Sequence, residues 1–90
     1  MNESLILQNL DELARKLRIK IIHDKKLPHR GGFCRYQDSC YLIIKSKIPI
    51  QDEIQLYTKA ISRVVPEDYY VLPVIRELLD RELANQEGEH

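Results

Sequence analysis

Four side chains able to ligate a metal, or to act as nucleophile and base, fall within eighteen residues of one another: His23, His29, Cys34 and Cys40. Structural zinc sites use these donors, but bring them in close pairs such as Cys-x2–4-Cys. Here the gaps are five, four and five residues, with no knuckle, so no metal and no other cofactor is expected. The cysteines raise a second chemistry. A three-residue hairpin loop, Tyr36 to Asp38, would set Cys34 opposite Cys40 on one face, within reach of a disulfide and hence of a redox switch; a two- or four-residue loop would not. Cys34 with His23 or His29 is the one nucleophile and base pairing worth naming, and nothing beside it marks an oxyanion site or a pocket. A cysteine-dependent enzyme or redox switch is therefore an alternative reading, behind inert packing of two small strand residues.

A second constellation is cationic. Arg15, Lys16, Arg18, Lys20, Lys25, Lys26 and Arg30 share their stretch of chain with a single acid, Asp24. Non-specific contact with nucleic-acid phosphates needs clustered Lys and Arg and little else. Tyr36 and Tyr41 lie near enough to offer stacking faces. Against this stands the overall balance of 14 Lys/Arg and 14 Asp/Glu, so a nucleic-acid or phosphate binder is the runner-up. Arg30-Gly31-Gly32 could turn backbone N–H groups toward an anion. It precedes a strand rather than a helix, however, and so lacks the dipole of a true phosphate loop.

The neutral total conceals an asymmetry. Residues 1–50 carry 10 Lys/Arg against 5 Asp/Glu, and residues 51–90 carry 4 against 9, so the halves are +5 and −5. Complementary halves suit association with a protein partner or with a second copy, steered by charge and held by apolar contact. The surfaces to supply that contact are surplus apolar area on the last helix, around Val74 and Leu83, or an unpaired strand edge.

The elements that must position these groups follow from hydrophobic period. Ile6, Leu10, Leu13, Ala14 and Leu17 recur at helical spacing and predict a helix over about 3–17. Ile19, Ile21 and Ile22 suggest a strand that gives way to a loop from His23 to Gly32, broken by Pro28 and Gly31-Gly32. Phe33 to Tyr36 and Ser39 to Lys45 read as a hairpin turning near Gln37-Asp38. After Pro49, the series Ile50, Ile54, Tyr57, Ile61 and Val64 gives a second helix over about 51–65, which Pro66 stops. Pro73 opens a third along Ile75, Leu78, Leu79 and Leu83, to about Ala84, leaving residues 85–90 as a frayed tail. The order α-β-β-β-α-α predicts one α+β domain, 1–84, a three-stranded antiparallel sheet with helices on one face.

With 90 residues and 43% hydrophobic content the chain has room for one modest core and no second domain. No apolar run approaches the roughly 20 residues of a membrane span, so no membrane partner is expected. Two cysteines are too few for a secreted disulfide framework, which makes a cytoplasmic protein the expectation.

The segment Gly31-Gly32-Phe33-Cys34-Arg35, the hairpin, the strand Tyr41-Leu42-Ile43-Ile44 and the helix from Gln51 together resemble a small family of uncharacterised bacterial proteins. More distantly, Gly32 to Val65, about a third of the chain, is similar to the core of ImmA/IrrE-type zinc metallopeptidases. There a glycine, a hairpin and an Ile-rich strand precede a helix bearing His-Glu-x-x-His. On that pattern Lys59 and Arg63 stand at the histidine positions and Ala60 at the glutamate. The resemblance thus implies a scaffold without the peptidase, because two cations one turn apart repel a dication and alanine cannot activate water. The leading expectation is a non-enzymatic binding or interaction module.

Overall fold

The computed structural model describes residues 2–87. Its elements are α1 (Glu3–Lys16), β1 (Ile19–Asp24), β2 (Gly31–Tyr36), β3 (Ser39–Lys45), α2 (Ile50–Val64) and α3 (Pro73–Glu87). The predicted α+β class and element order hold.

Local chemistry sets the boundaries. Asn2 caps α1, its Oδ1 accepting from the Leu5 N–H at 2.8 Å. Beyond the other end Arg18 adopts φ 65°, a left-handed residue that turns the chain from helix into β1. Asp52 and Glu53 lie in the first turn of α2, where they complement the helix dipole. Val65 is extended (ψ 128°), as the residue before a proline should be. α3 runs beyond the predicted stop at Ala84: Gln86 Nε2 donates to Ser62 Oγ at 3.0 Å and to Glu82 Oε1 at 3.2 Å. Residues 85–87 are therefore helical rather than a frayed tail, and 88–90 lie outside the described residues.

The sheet is mixed rather than purely antiparallel as expected. Its order is β1-β3-β2, with β1 parallel to β3 and β2 antiparallel to it. The middle position goes to the strand with the most to bury, since Leu42 and Ile44 of β3 are wholly enclosed. β2, with two glycines and Arg35, takes an edge. The connection of residues 25–30 passes over the end of β3: Ser46 N–H donates to Asp24 O at 3.1 Å and Lys45 N–H to Arg30 O at 2.7 Å. Six residues easily span the two strand spacings of roughly 10 Å that this requires.

Gly31 and Gly32 belong to β2 rather than to a loop. Gly31 has φ 133°, and a Cβ there would sit 2.0 Å from Ile43 O, so no other residue fits without moving backbone. Gly32 has no such constraint.

The helices cover one face of the sheet. α1 packs on β1, α2 on β2 and β3, and α3 on α2. Leu10, Ala14, Leu42, Ile44, Ala60, Ile61 and Leu79 are fully buried between them. Each large apolar side chain in that core contributes about 1.5–3 kcal/mol of burial free energy. The opposite face carries Lys20, Ile22, Cys34, Tyr36, Tyr41 and Ile43 by strand alternation, and Lys20 Nζ lies 5.4 Å from the Tyr41 ring centroid. Among the described residues no helix is long and apolar enough to cross a membrane.

Candidate functional site

The outer edge of β2 is built by hydrogen-bond parity. Lys45 N–H donates to Arg30 O, so in the antiparallel register the mutually bonded pairs that follow are Gly32 with Ile43, Cys34 with Tyr41 and Tyr36 with Ser39. The alternate residues, Gly31, Phe33 and Arg35, turn their N–H and C=O groups away from β3. Gly31 N–H donates to His29 Nδ1 at 3.1 Å. The groups of Phe33 and Arg35 face outward, with no strand beyond them among the described residues.

Beside this edge runs the polar flank of α2. A cleft of about 260 Å³ separates the two, with Arg30, Gly31, Gly32 and Phe33 on the strand side and Gln55, Leu56, Lys59 and Arg63 on the helix side. A shallower depression continues it past Cys34 and Arg35, again with Arg63 on its wall. Arg30 is tied down, its guanidinium 2.9 Å from Asp52 Oδ1 and 3.3 Å from Gln55 Oε1. Arg35, Lys59 and Arg63 are exposed, and none of them meets an acid among the described residues. Ala60, between Lys59 and Arg63 in sequence, is fully buried.

The seven cations of residues 15–30 are distributed over the end of α1, the corner after it, β1 and the crossing loop. Arg15 Nε donates to Asp11 Oδ1 at 2.7 Å. Lys16 lines a separate cavity of about 220 Å³ with Tyr69 and Tyr70. Arg18 occupies the helix-to-strand corner, and Lys20 lies against Tyr41 on the open sheet face. Lys25 and Lys26 belong to the crossing loop, where Lys26 N–H donates to Asp24 Oδ1 at 2.8 Å. Of the seven, Arg30 alone lines the β2–α2 cleft. The cations that join it, Arg35, Lys59 and Arg63, were not grouped by the sequence reading. Their signal there was Lys59 and Arg63 one helical turn apart, which points nowhere until β2 is placed beside them.

The cysteines take the branch that separates them. Gln37 (φ 48°) and Asp38 (φ 66°) form a two-residue turn of the mirror-image type that hairpins favour. Cys34 therefore pairs with Tyr41 and Cys40 with Arg35. The one-residue offset puts the thiols on opposite faces, and both are free. Among the described residues no three His, Cys, Asp or Glu side chains gather as a metal site.

A polar cluster unforeseen from sequence joins α1 to α2. Tyr57, 2% exposed, donates its hydroxyl to Asp11 Oδ2 at 2.5 Å. Burial, followed by that bond to a carboxylate, pushes the Tyr57 hydroxyl well above its ordinary range. Burial alone would raise Asp11, but the hydrogen bonds from Arg15 and Tyr57 outweigh it and hold the carboxyl low. A phenol so reluctant to ionise is a fixed donor, and the cluster fastens two helices.

Comparison with protein-family models, curated proteins and solved structures finds no match to this chain.

Proposed function

We propose that the protein is a non-enzymatic interaction module whose β2–α2 cleft receives an anionic segment of a protein partner. The observation that carries this is the set of unpartnered cations, Arg35, Lys59 and Arg63, gathered around a strand edge with free backbone groups. Within the same cleft Arg30 is already neutralised by Asp52, so these three are the cations left without a carboxylate there. Lys59 and Arg63 line the cleft, and Arg35 lines the adjoining depression that shares Arg63. Like charges this close repel one another, and an anion bound among them relieves that repulsion while gaining charge-assisted hydrogen bonds. The metallopeptidase resemblance fits a catalytically empty scaffold: the helix flank that would hold a dication bears Lys59 and Arg63 instead. The partner is another protein or a second copy, whose residues 51–90 carry an acidic excess of five.

Fluorescence anisotropy with a labelled polyglutamate peptide of about ten residues tests the reading. The expected result is saturable, salt-sensitive binding that the double variant Lys59→Glu, Arg63→Glu weakens by at least tenfold, since two contacts to charged groups are replaced by repulsion. Both positions are exposed, so thermal stability should stay within about 0.5 kcal/mol of the parent. Binding that is indifferent to the double variant, or tighter binding to a single-stranded DNA of the same length, would overturn the proposal in favour of a different surface or a nucleic-acid ligand.

A further inference from the structure

We infer that the partner enters the cleft as an added β-strand on the outer edge of β2, an extended segment with acidic side chains at every second position. The inference rests on the interaction-module reading and specifies its mode. Phe33 and Arg35 each present an N–H and a C=O outward, about 6.8 Å apart along the strand, the repeat at which an added strand makes its hydrogen bonds. Backbone pairing fixes the orientation of what binds. In such a strand alternate side chains turn toward the helix layer, where Arg35, Lys59 and Arg63 wait for carboxylates. The intervening ones align with Cys34 and Tyr36 on the open face, where Tyr36 is 64% exposed and apolar groups gain contact.

Charge selects among occupants. The β2 edge of a second copy would bring Arg35, Lys59 and Arg63 against their own equivalents, so this edge repels itself. Charged side chains commonly keep strand edges from indiscriminate pairing, and cations do so by sign, rejecting basic strands and admitting acidic ones. The edge is also ready-made: β2 is held along its length by β3, and the two-residue turn fixes its register.

The test uses the whole protein and a peptide of about ten residues alternating glutamate and valine. Arg35 N–H takes no part in the β2–β3 ladder, so Arg35→Pro leaves that ladder intact while removing an outward donor. Arg35→Ala removes the same charge and keeps the donor. Binding to Arg35→Pro should be about tenfold weaker than to Arg35→Ala, the loss of one backbone hydrogen bond together with obstruction of the edge. Hydrogen exchange on the unsubstituted protein should show the Phe33 and Arg35 amides slowed by the peptide, a readout that stands even if the proline variant fails to fold. Equal binding by the two variants with no slowing at those amides would overturn strand addition; if Lys59→Glu, Arg63→Glu still abolished binding, the cleft would stand and only the mode would fall. Slowing of the same amides on concentrating the protein without peptide would assign the edge to a second copy, and would overturn the choice of a foreign acidic segment as its occupant.

Discussion

Helix α2 has two flanks, and they treat charge in opposite ways. Toward α1, Tyr57 is buried and bonded to Asp11, which also holds Arg15, so polar groups at that interface are satisfied within the chain. Toward β2, Lys59 and Arg63 stand exposed beside Arg35 with no acid to meet them among the described residues. The first arrangement fastens two helices. The second leaves its cations without a carboxylate among the described residues, which is the feature the proposed function rests on. Charge placement thus separates a flank whose polar groups are satisfied inside the chain from one whose cations face solvent.

The contrast breaks most directly at its closed side. Leu10 of α1 is fully buried against the same core as Ile61 of α2, and Leu10→Asp would enclose a carboxylate with no designed partner. The expected cost exceeds about 4 kcal/mol, which leaves a domain of this size largely unfolded. Circular dichroism in urea checks it. A cooperative transition near that of the parent would show that the closed flank does not carry the fold.

On the open side the two glycines of β2 sharpen the comparison, since they adjoin the cleft but differ in what they do. Gly31→Ala forces a Cβ into Ile43 O at φ 133°, and should cost about 2–4 kcal/mol from backbone strain and displacement of β3. Gly32→Ala meets nothing within 4 Å, and should be neutral or stabilise by up to about 1 kcal/mol by restricting the unfolded chain. Equal melting temperatures for the pair would mean that β2 is not held where the cleft requires it.

The smallest effect is at the Asp11 cluster. Tyr57→Phe removes one donor while Arg15 remains, and should cost about 1 kcal/mol at neutral pH. The pH profile carries more information. Because Tyr57 titrates higher folded than unfolded, its contribution is complete below its ordinary value near 10 and is lost as pH rises beyond it. Because Asp11 titrates lower folded than unfolded, its contribution is present above about 3.9 and is lost as pH falls below that. Tyr57→Phe should therefore flatten the alkaline loss and soften, without abolishing, the acid loss that Arg15 still sustains. Unchanged profiles on both limbs would deny the cluster its role.

Much of the fold was legible in the residues. Apolar spacing located every helix, isoleucine-rich runs located β1 and β3, the aromatic-flanked segment Phe33 to Tyr36 located most of β2, and Pro66 and Pro73 marked a helix end and a helix start at the positions observed. These signals are local, and depend on side chains within a turn or two of one another. The end of α3 was misplaced because its last turn is held by Ser62, a residue 24 positions away. The turn at Gln37-Asp38 was found, but its length was not, since either residue count suits a polar pair until cross-strand packing selects the register. That choice decided the cysteines.

The sequence by itself determined an α+β fold of order α-β-β-β-α-α. That conclusion rests on residue identity and short-range period. Tertiary structure alone decided that β3 lies between its neighbours, because strand order depends on which faces can be buried together rather than on any strand's own composition. From that order follow the free outer edge of β2 and the approach of Arg35 to Arg63 across 28 residues of chain. A cleft between two elements is a property of their packing, and no local pattern encodes it.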